Sequence, residues 1–393
     1  MGDRRLEVER TPRPDAPGAR RDIGHHARTA PRRRPVKRTR AALALLALLA
    51  AAGCVQKPKY EPLPVDSTAT VPGDSLAIIV RSALEMWDTP GEGEAAATLS
   101  ARLLLNDLAV RSRIEPTLSW EERARTLLDS LGFGGEVMSD RCVMVVNFFS
   151  RSDPEQGAWP WLFWCGQGTI LSEPLDSRGF KLLALAGRGL FGDPPTPPGP
   201  PSAAVLFGRR TAGGQQLLLT VWDLAGAGAN LAQTLGPDSL GGVGRGEFTG
   251  IEDGTIQLTT RTYRGTPGFT ECATCPHVWH VRRFLWEPYG FERIAVEIQP
   301  SPYATFVAFA QALAVDDRDR ARDLVVDREW VETARRQGWG EPGGAWRVAP
   351  GTDENADEMV FFRGPREAYR VTFEQRGGQW LIAGFRTTST SIE

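Results

Sequence analysis

Beyond residue 74 the spacing of apolar positions changes twice, and each pattern predicts a different kind of element. Up to about residue 131 the apolar residues recur at helical intervals. Asp74 or Ser75 caps a helix over Leu76–Trp87 that Thr89-Pro90-Gly91 ends. A second helix covers Ala95–Val110, with Leu103, Leu104 and Leu108 on one stripe. Ser119-x-x-Glu122 is a capping box opening a third helix to Leu131, which Gly132 stops. Residues 75–140 are therefore expected to form a helical region.

From Arg141 the pattern becomes short runs of Val, Phe, Trp and Leu bounded by Gly, Pro and Asp, the signature of strands. The runs are Cys142–Phe149, Trp159–Cys165, Phe180–Ala186, Ala203–Gly208, Gln215–Trp222, Thr255–Tyr263, His277–Trp286 and Phe291–Ile298. Glu252-Asp253-Gly254 and Glu287-Pro288-Tyr289-Gly290 are expected as hairpin turns. Residues 141–300 thus predict an antiparallel β region. The proline-rich Asp193–Pro201 is expected as a stiff loop or a boundary between two β halves.

The segment 301–393 returns to helices and then strands. Ser301-Pro302 is an N-cap with proline at the first helical position, and Phe306, Phe309 and Leu313 share a face. Asp316-Asp317 breaks that helix, Ala321, Leu324 and Val325 continue the pattern, and Asp327–Gln337 is a further helix. Strands follow at Ala345–Val348, Met359–Arg363, Tyr369–Gln375 and Trp380–Thr387, with Gly377-Gly378 as a hairpin turn. Helices followed by a curling antiparallel meander resemble the NTF2-like α+β cone. The stretches that carry the resemblance are Phe309 to Asp317 and Tyr369 to Trp380. It implies a pocketed fold, which some relatives use for isomerisation or hydration of small molecules. No residue here matches a catalytic residue of those relatives, so none is carried over. The expected class is α+β: a helical N-terminal region, an antiparallel β middle region and a C-terminal NTF2-like domain.

Ahead of these regions lies a processing signal. Val36-Lys37-Arg38-Thr39-Arg40 is a basic region, Ala41 to Ala52 is apolar, and Gly53-Cys54 closes the segment. The apolar run is shorter than the roughly 20 residues a membrane-spanning helix needs. Ala50-Ala51-Ala52-Gly53-Cys54 resembles the lipobox of bacterial lipoproteins, with Ala51 where that family prefers Leu. The resemblance implies lipidation of Cys54 and removal of residues 1–53 as a signal peptide. The Arg- and Pro-rich arm before Val36 reads as a misassigned start, and residues 54–74 as a disordered tether. Val55 follows the Cys where Asp would signal inner-membrane retention, which implies the outer membrane, facing the periplasm, in a Gram-negative host.

Charge narrows the partners. Residues 1–53 hold 13 basic and 5 acidic side chains, leaving 33 basic against 43 acidic in the rest. A body so acidic lacks the clustered cations that nucleic acid requires, so no nucleic acid is expected as a partner. Only Lys181 among the lysines lies beyond residue 59, which leaves Schiff-base and P-loop chemistry almost without a candidate. No Gly-x-Ser-x-Gly elbow or His-Glu-x-x-His occurs. Gly226-x-Gly228 has Leu231 where a dinucleotide loop wants a third small residue.

Cys142, Cys165, Cys272 and Cys275 are four cysteines in a chain that reads as exported, which favours disulfides, and three pairings are open. Pairing Cys142 with Cys165 and Cys272 with Cys275 needs no long-range assumption. The segment Cys272 to His280 also contains His277, so a redox or zinc site at Cys272, Cys275, His277 and His280 is an alternative. Three features weigh against such sites. The β-like flank does not suit a thioredoxin-type helix start, Pro276 occupies the haem-linking His position, and the two His point to opposite faces of a strand. Asp316, Asp317, Asp319 and Asp323 alternate with arginines as a salt-laced face would, while Trp159 and Trp161 share a strand face that excludes Trp164.

The reading that results is a non-catalytic lipoprotein without a cofactor, held at the cell envelope by lipid on Cys54, binding a small ligand or a partner protein. The rival is an enzyme using the NTF2-like pocket.

Overall fold

Three helices precede the first strand: α1 (Gly73–Trp87), α2 (Gly93–Ile114) and α3 (Trp120–Leu131). The capping box at α3 is formed in full. The Ser119 hydroxyl accepts from the Glu122 amide at 3.2 Å, the Glu122 carboxylate accepts from the Ser119 amide at 3.1 Å, and Gly132 closes the helix at a left-handed φ of 77°. The computed structural model describes residues 73–114, 119–152, 157–166, 169–189, 200–251 and 255–388. The signal segment with Cys54, the tether as far as residue 72, positions 193–199 of the proline-rich run and the turn Glu252-Asp253-Gly254 lie outside them.

The helices pack on a four-stranded antiparallel meander, β1 (Gly134–Asp140), β2 (Val143–Phe149), β3 (Trp159–Cys165) and β4 (Ile170–Pro174). Strand β2 reads Val-Met-Val-Val-Asn-Phe-Phe because both of its faces are covered. Met144, Val146 and Phe148 meet Leu104, Leu108 and Leu128 of the helices, whereas Val143 and Val145 face a second sheet.

That second sheet has eight strands, all paired antiparallel: β5 (Lys181–Arg188), β6 (Ser202–Thr211), β7 (Gly214–Asp223), β8 (Asn230–Leu235), β9 (Val243–Gly250), β10 (Ile256–Tyr263), β11 (His280–Glu287) and β12 (Gly290–Ile298). Val205 and Phe207 of β6 face β2 and β3, while Ala204 and Leu206 point the other way. On that other side the sheet curls, so that Leu217 and Leu219 of β7 share a core with Leu258 of β10, Phe284 and Trp286 of β11 and Phe291 of β12. A single helical turn, α4 (Pro237–Leu240), inserts Leu240 into this core.

The C-terminal part places α5 (Pro302–Ala314), α6 (Arg318–Arg322) and α7 (Glu329–Arg336) on a third antiparallel meander, β13 (Trp346–Val348), β14 (Glu358–Arg363), β15 (Glu367–Arg376) and β16 (Gln379–Thr387). Ser301 caps α5 through the Ala304 amide at 3.1 Å, and Gly377 and Gly378, both at positive φ, make the tight turn between β15 and β16. Helices and antiparallel sheets together make the protein α+β.

Several boundaries differ from those expected. Strand β1 lies inside the stretch 75–140 read as helical. Its sequence Gly-Gly-Glu-Val-Met-Ser-Asp is half-exposed and is made a strand by full register with β2 from Gly134–Phe149 to Asp140–Val143. Helix α1 begins at Gly73, within the stretch 54–74 read as tether. The proline-rich run does not separate two β halves, because β5 and β6 on its two sides are hydrogen-bonded neighbours. Strands β4, β8 and β9 lack such apolar runs, and β9 carries glycine where it lies close against β10: a Cβ at Gly244, φ 159°, would collide with the Arg261 carbonyl. Strand β11 starts at His280, three residues later than expected, so His277 is not on a strand.

The core of the C-terminal part extends past the boundary at residue 301. Cys275 is buried within it, and Phe269, Cys272 and Val278 pack against it. A fragment 264–393 should therefore melt cooperatively and at a higher temperature than a fragment 301–393. Equal melting temperatures by circular dichroism would show that the loop 264–279 contributes nothing to this core.

Candidate functional site

The loop 264–279 between β10 and β11 is where the sequence's CxxC segment meets the C-terminal part. It enters as an extra edge on the third sheet: Phe269 makes a parallel bridge to Trp346, with Thr270 N–H donating to the Trp346 carbonyl at 2.7 Å and Trp346 N–H to the Gly268 carbonyl at 2.9 Å. Cys272 and Cys275 then turn the chain, with their Cα atoms 5.1 Å apart and sulfurs at disulfide distance. Cys142 and Cys165, Cα atoms 5.6 Å apart at the open end of the β2–β3 hairpin, form the other pair.

Just before the turn, the Glu271 carboxylate is buried, with 6% of its side chain exposed, and it gathers three donors. Tyr303 of α5 donates its hydroxyl at 3.0 Å, Nδ1 of His277 lies at 3.4 Å, and the Thr266 hydroxyl is the third. Burial alone would raise the Glu271 pKa, but the bonds from His277, Thr266 and Tyr303 outweigh it and hold the carboxyl below its ordinary range. Burial, with the Glu271 charge added, pushes the Tyr303 and Tyr263 hydroxyls up, so both phenols stay neutral donors.

The His277 ring stacks on Tyr263 with centroids 3.5 Å apart, and Trp279 packs edge-on against both. A second carboxylate repeats the arrangement beside it. Glu354 accepts from Trp279 Nε1 at 2.7 Å and from Arg261 at 2.6 Å, while the Arg261 guanidinium lies 4.0 Å from the centre of the Trp279 ring. Two carboxylates thus join the second sheet to the C-terminal part. With its Nε2 buried and unpartnered, His277 resembles half of an acid–base dyad, but the geometry around it is that of an interlock.

The four residues of the zinc or redox alternative do not converge. Cys272 and Cys275 bond each other, His277 turns to Glu271, and His280 sits on β11 beside Arg282 and Arg264. Among the described residues no group of three or more His, Cys, Asp or Glu is arranged to hold a metal. Glu271 precedes the CxxC directly and could have been noted. Tyr303 and Glu354 carry no sequence signal that links them to it.

The C-terminal helices and sheet enclose aromatic side chains in place of a cavity. Phe306 stacks on Phe361 at 3.6 Å, and Trp339 packs on Phe385 at 4.3 Å and Trp346 at 5.2 Å. A cleft of about 260 Å³ opens at the edge, lined by Phe269, Gln311, Ala314, Glu341, Trp346 and Arg363 among others. Arg363 is held there by the carbonyls of Gly338 at 2.7 Å and Glu341 at 2.8 Å.

The remaining sequence candidates have structural places. Asp316 pairs with Arg335 and Arg318, Asp317 caps α6 through the Arg320 amide, and Asp319 pairs with Arg322 at 3.1 Å. Trp159 and Trp161 pack on the helical core and also line a groove, while Trp164 is buried on the opposite side of β3. Gly226 and Gly228 lead into strand β8, where a dinucleotide loop would lead into a helix.

Because the folded state holds the Glu271 carboxyl below its unfolded value, its stabilisation is present above the ordinary Glu range and is lost as pH falls through the folded pKa. Glu271→Gln should lower stability at pH 7 by about 1–3 kcal/mol. The deficit should shrink on acidification below about pH 4.5, the ordinary Glu value. Urea melts across pH check this, and a deficit that does not depend on pH would show that charge at Glu271 is irrelevant.

A scan against protein-family models matches none of them, and searches of curated proteins and of solved structures return no match.

Proposed function

We propose that the protein is a lipid-anchored lipoprotein of the cell envelope whose folded body binds a ligand or partner and performs no reaction on it. The observation that carries this reading is the state of the cysteines. Every cysteine beyond Cys54 stands in a pair at disulfide distance, as suits an oxidising compartment. Export in turn favours reading Val36 to Cys54 as a secretion signal ending in a lipidated Cys54, and Val55 then favours the outer membrane of a Gram-negative host.

The C-terminal arrangement of α5–α7 on the β13–β16 meander supports the NTF2-like comparison made from sequence. Its enzymatic use draws less support. Phe306, Phe361, Trp339 and Phe385 fill the space between helices and sheet, and the carboxylate lining the outer cleft, Glu341, sits on an exposed loop. A shallow, partly apolar cleft beside a rigid aromatic core suits recognition.

The anchor is tested by Cys54→Ser. The wild type should partition into detergent and carry an N-terminal mass raised by acyl chains, and the variant should lose both. Identical partitioning and identical N-terminal mass in the two proteins would sink the proposal.

A further inference from the structure

Three arginines and a histidine gather on the inner face of the curl of the second sheet, at the end beyond the apolar core. Register places Thr262, His280 and Ile298 side by side across β10, β11 and β12, and Thr260, Arg282 and Val296 in the next row. Arg293 lies opposite Phe284, one row further, and Ile294 occupies the bulge between them. Arg264 follows β10 directly. His280, Arg282, Arg264 and Arg293 therefore gather on one small area, and the charges of Arg264 and Arg293 both act on Arg282.

Arg282 is held in a built position. Its Nη1 donates to the Thr262 hydroxyl at 2.7 Å, and that hydroxyl donates in turn to the Leu240 carbonyl at 3.2 Å. The guanidinium lies over the backbone of Gly241, where a Cβ would collide with it. Arg264 reaches the Asp238 carboxylate at 3.2 Å, but among the described residues no carboxylate forms an ion pair with Arg282, Arg293 or His280. Burial and the neighbouring cations Arg264 and Arg293 both press the charged form of Arg282 down. A fixed, half-buried guanidinium among like charges is a receptor for an oxyanion, which its planar fork can bind through two N–H groups.

The apolar half of the surface lies against it. Ile294, Val296 and Ile298 are 56%, 48% and 54% exposed, although the face they share continues into the buried core at Phe284 and Phe291. Val296 and Ile298 stand directly opposite Arg282 and His280, within about 5 Å between Cβ atoms for cross-strand pairs. An aliphatic row alongside a cationic one matches a molecule with an anionic head and an alkyl chain.

We propose that this surface binds a single-chain anionic amphiphile, a phosphate or carboxylate head on Arg282, Arg293, Arg264 and His280 with its alkyl chain along Ile294, Val296 and Ile298. The site is separate from the C-terminal cleft and stands whether or not Cys54 carries lipid.

The test uses the full chain carrying Cys54→Ser, free of detergent, and titrates dodecyl phosphate below its micellar concentration by calorimetry. Inorganic phosphate and dodecyltrimethylammonium serve as the other probes. Dodecyl phosphate should bind, inorganic phosphate should bind at least about tenfold more weakly, and the cationic amphiphile should not bind. Arg282→Gln should weaken dodecyl phosphate at least about tenfold. The double variant Val296→Ser with Ile298→Ser, at two positions outside the buried core, should do so too and covers the case in which Arg282→Gln fails to fold. Equal binding of both amphiphiles, equal binding of inorganic and dodecyl phosphate, or wild-type affinity in the double variant would each overturn the proposal. Sedimentation with phosphatidylglycerol vesicles in the absence of dodecyl phosphate binding would assign the surface to a bilayer and overturn it as well.

Discussion

The buried carboxylate of Glu271 is the interaction on which the arrangement of the C-terminal half depends. A carboxylate taken out of water costs several kcal/mol unless its charge is met by hydrogen bonds. Glu271 is met by Tyr303 from α5, by His277 from its own loop and by Thr266. Those donors come from both ends of the loop and from the first helix of the C-terminal part, so satisfying one charge fixes three segments at once. The Cys272–Cys275 turn and the Phe269–Trp346 bridge then act on a loop whose path is already set. Removing the charge releases a constraint, whereas leaving it without its donors strands an anion in the interior.

This use of polar groups contrasts with the other junctions. Strands β2 and β6 are buried on both faces by apolar side chains, and the layers they join meet mainly through shape, with the Gly187 amide donating to Asp140 at 2.7 Å beside them. The C-terminal part meets the second sheet through Glu271, Glu354, Arg261 and Trp279, which hold only at one geometry. Directional bonds specify orientation where an apolar contact would tolerate sliding.

The same sheet shows what happens where such matching is withheld. Arg261 on one side of β10 has Glu354 and Gln299 for partners, at 2.6 Å each. Arg282, one strand away on the opposite face, has a threonine hydroxyl and two like-charged neighbours. The sheet thus pairs one arginine fully and leaves another beside like charges.

Local chemistry made much of the architecture legible in sequence. The Ser119 capping box, the Ser301-Pro302 helix start, the Gly377-Gly378 turn and the strand Trp159–Cys165 are set by hydrogen bonds and dihedral preferences within a few residues, and each stands where the pattern placed it. Of the three cysteine pairings left open, the structure forms the one that needs no long-range contact, since both pairs are close along the chain or across one hairpin. Strand β1 was hidden because Gly-Gly-Glu-Val-Met-Ser-Asp has no alternation of its own and takes its conformation from β2. The proline-rich run read as a stiff loop or a boundary between two β halves, and the boundary alternative falls because composition says nothing about which strands its ends join. His277 was read as a strand residue from its neighbours, yet Tyr263 and Glu271 hold it in the loop. Sequence by itself determined those elements whose determinants lie within one turn or one hairpin. The meeting of Glu271 with Tyr303, and of Arg282 with the row from Ile294 to Ile298, was decided only by the tertiary structure, because long-range register and packing leave no periodic mark on the chain.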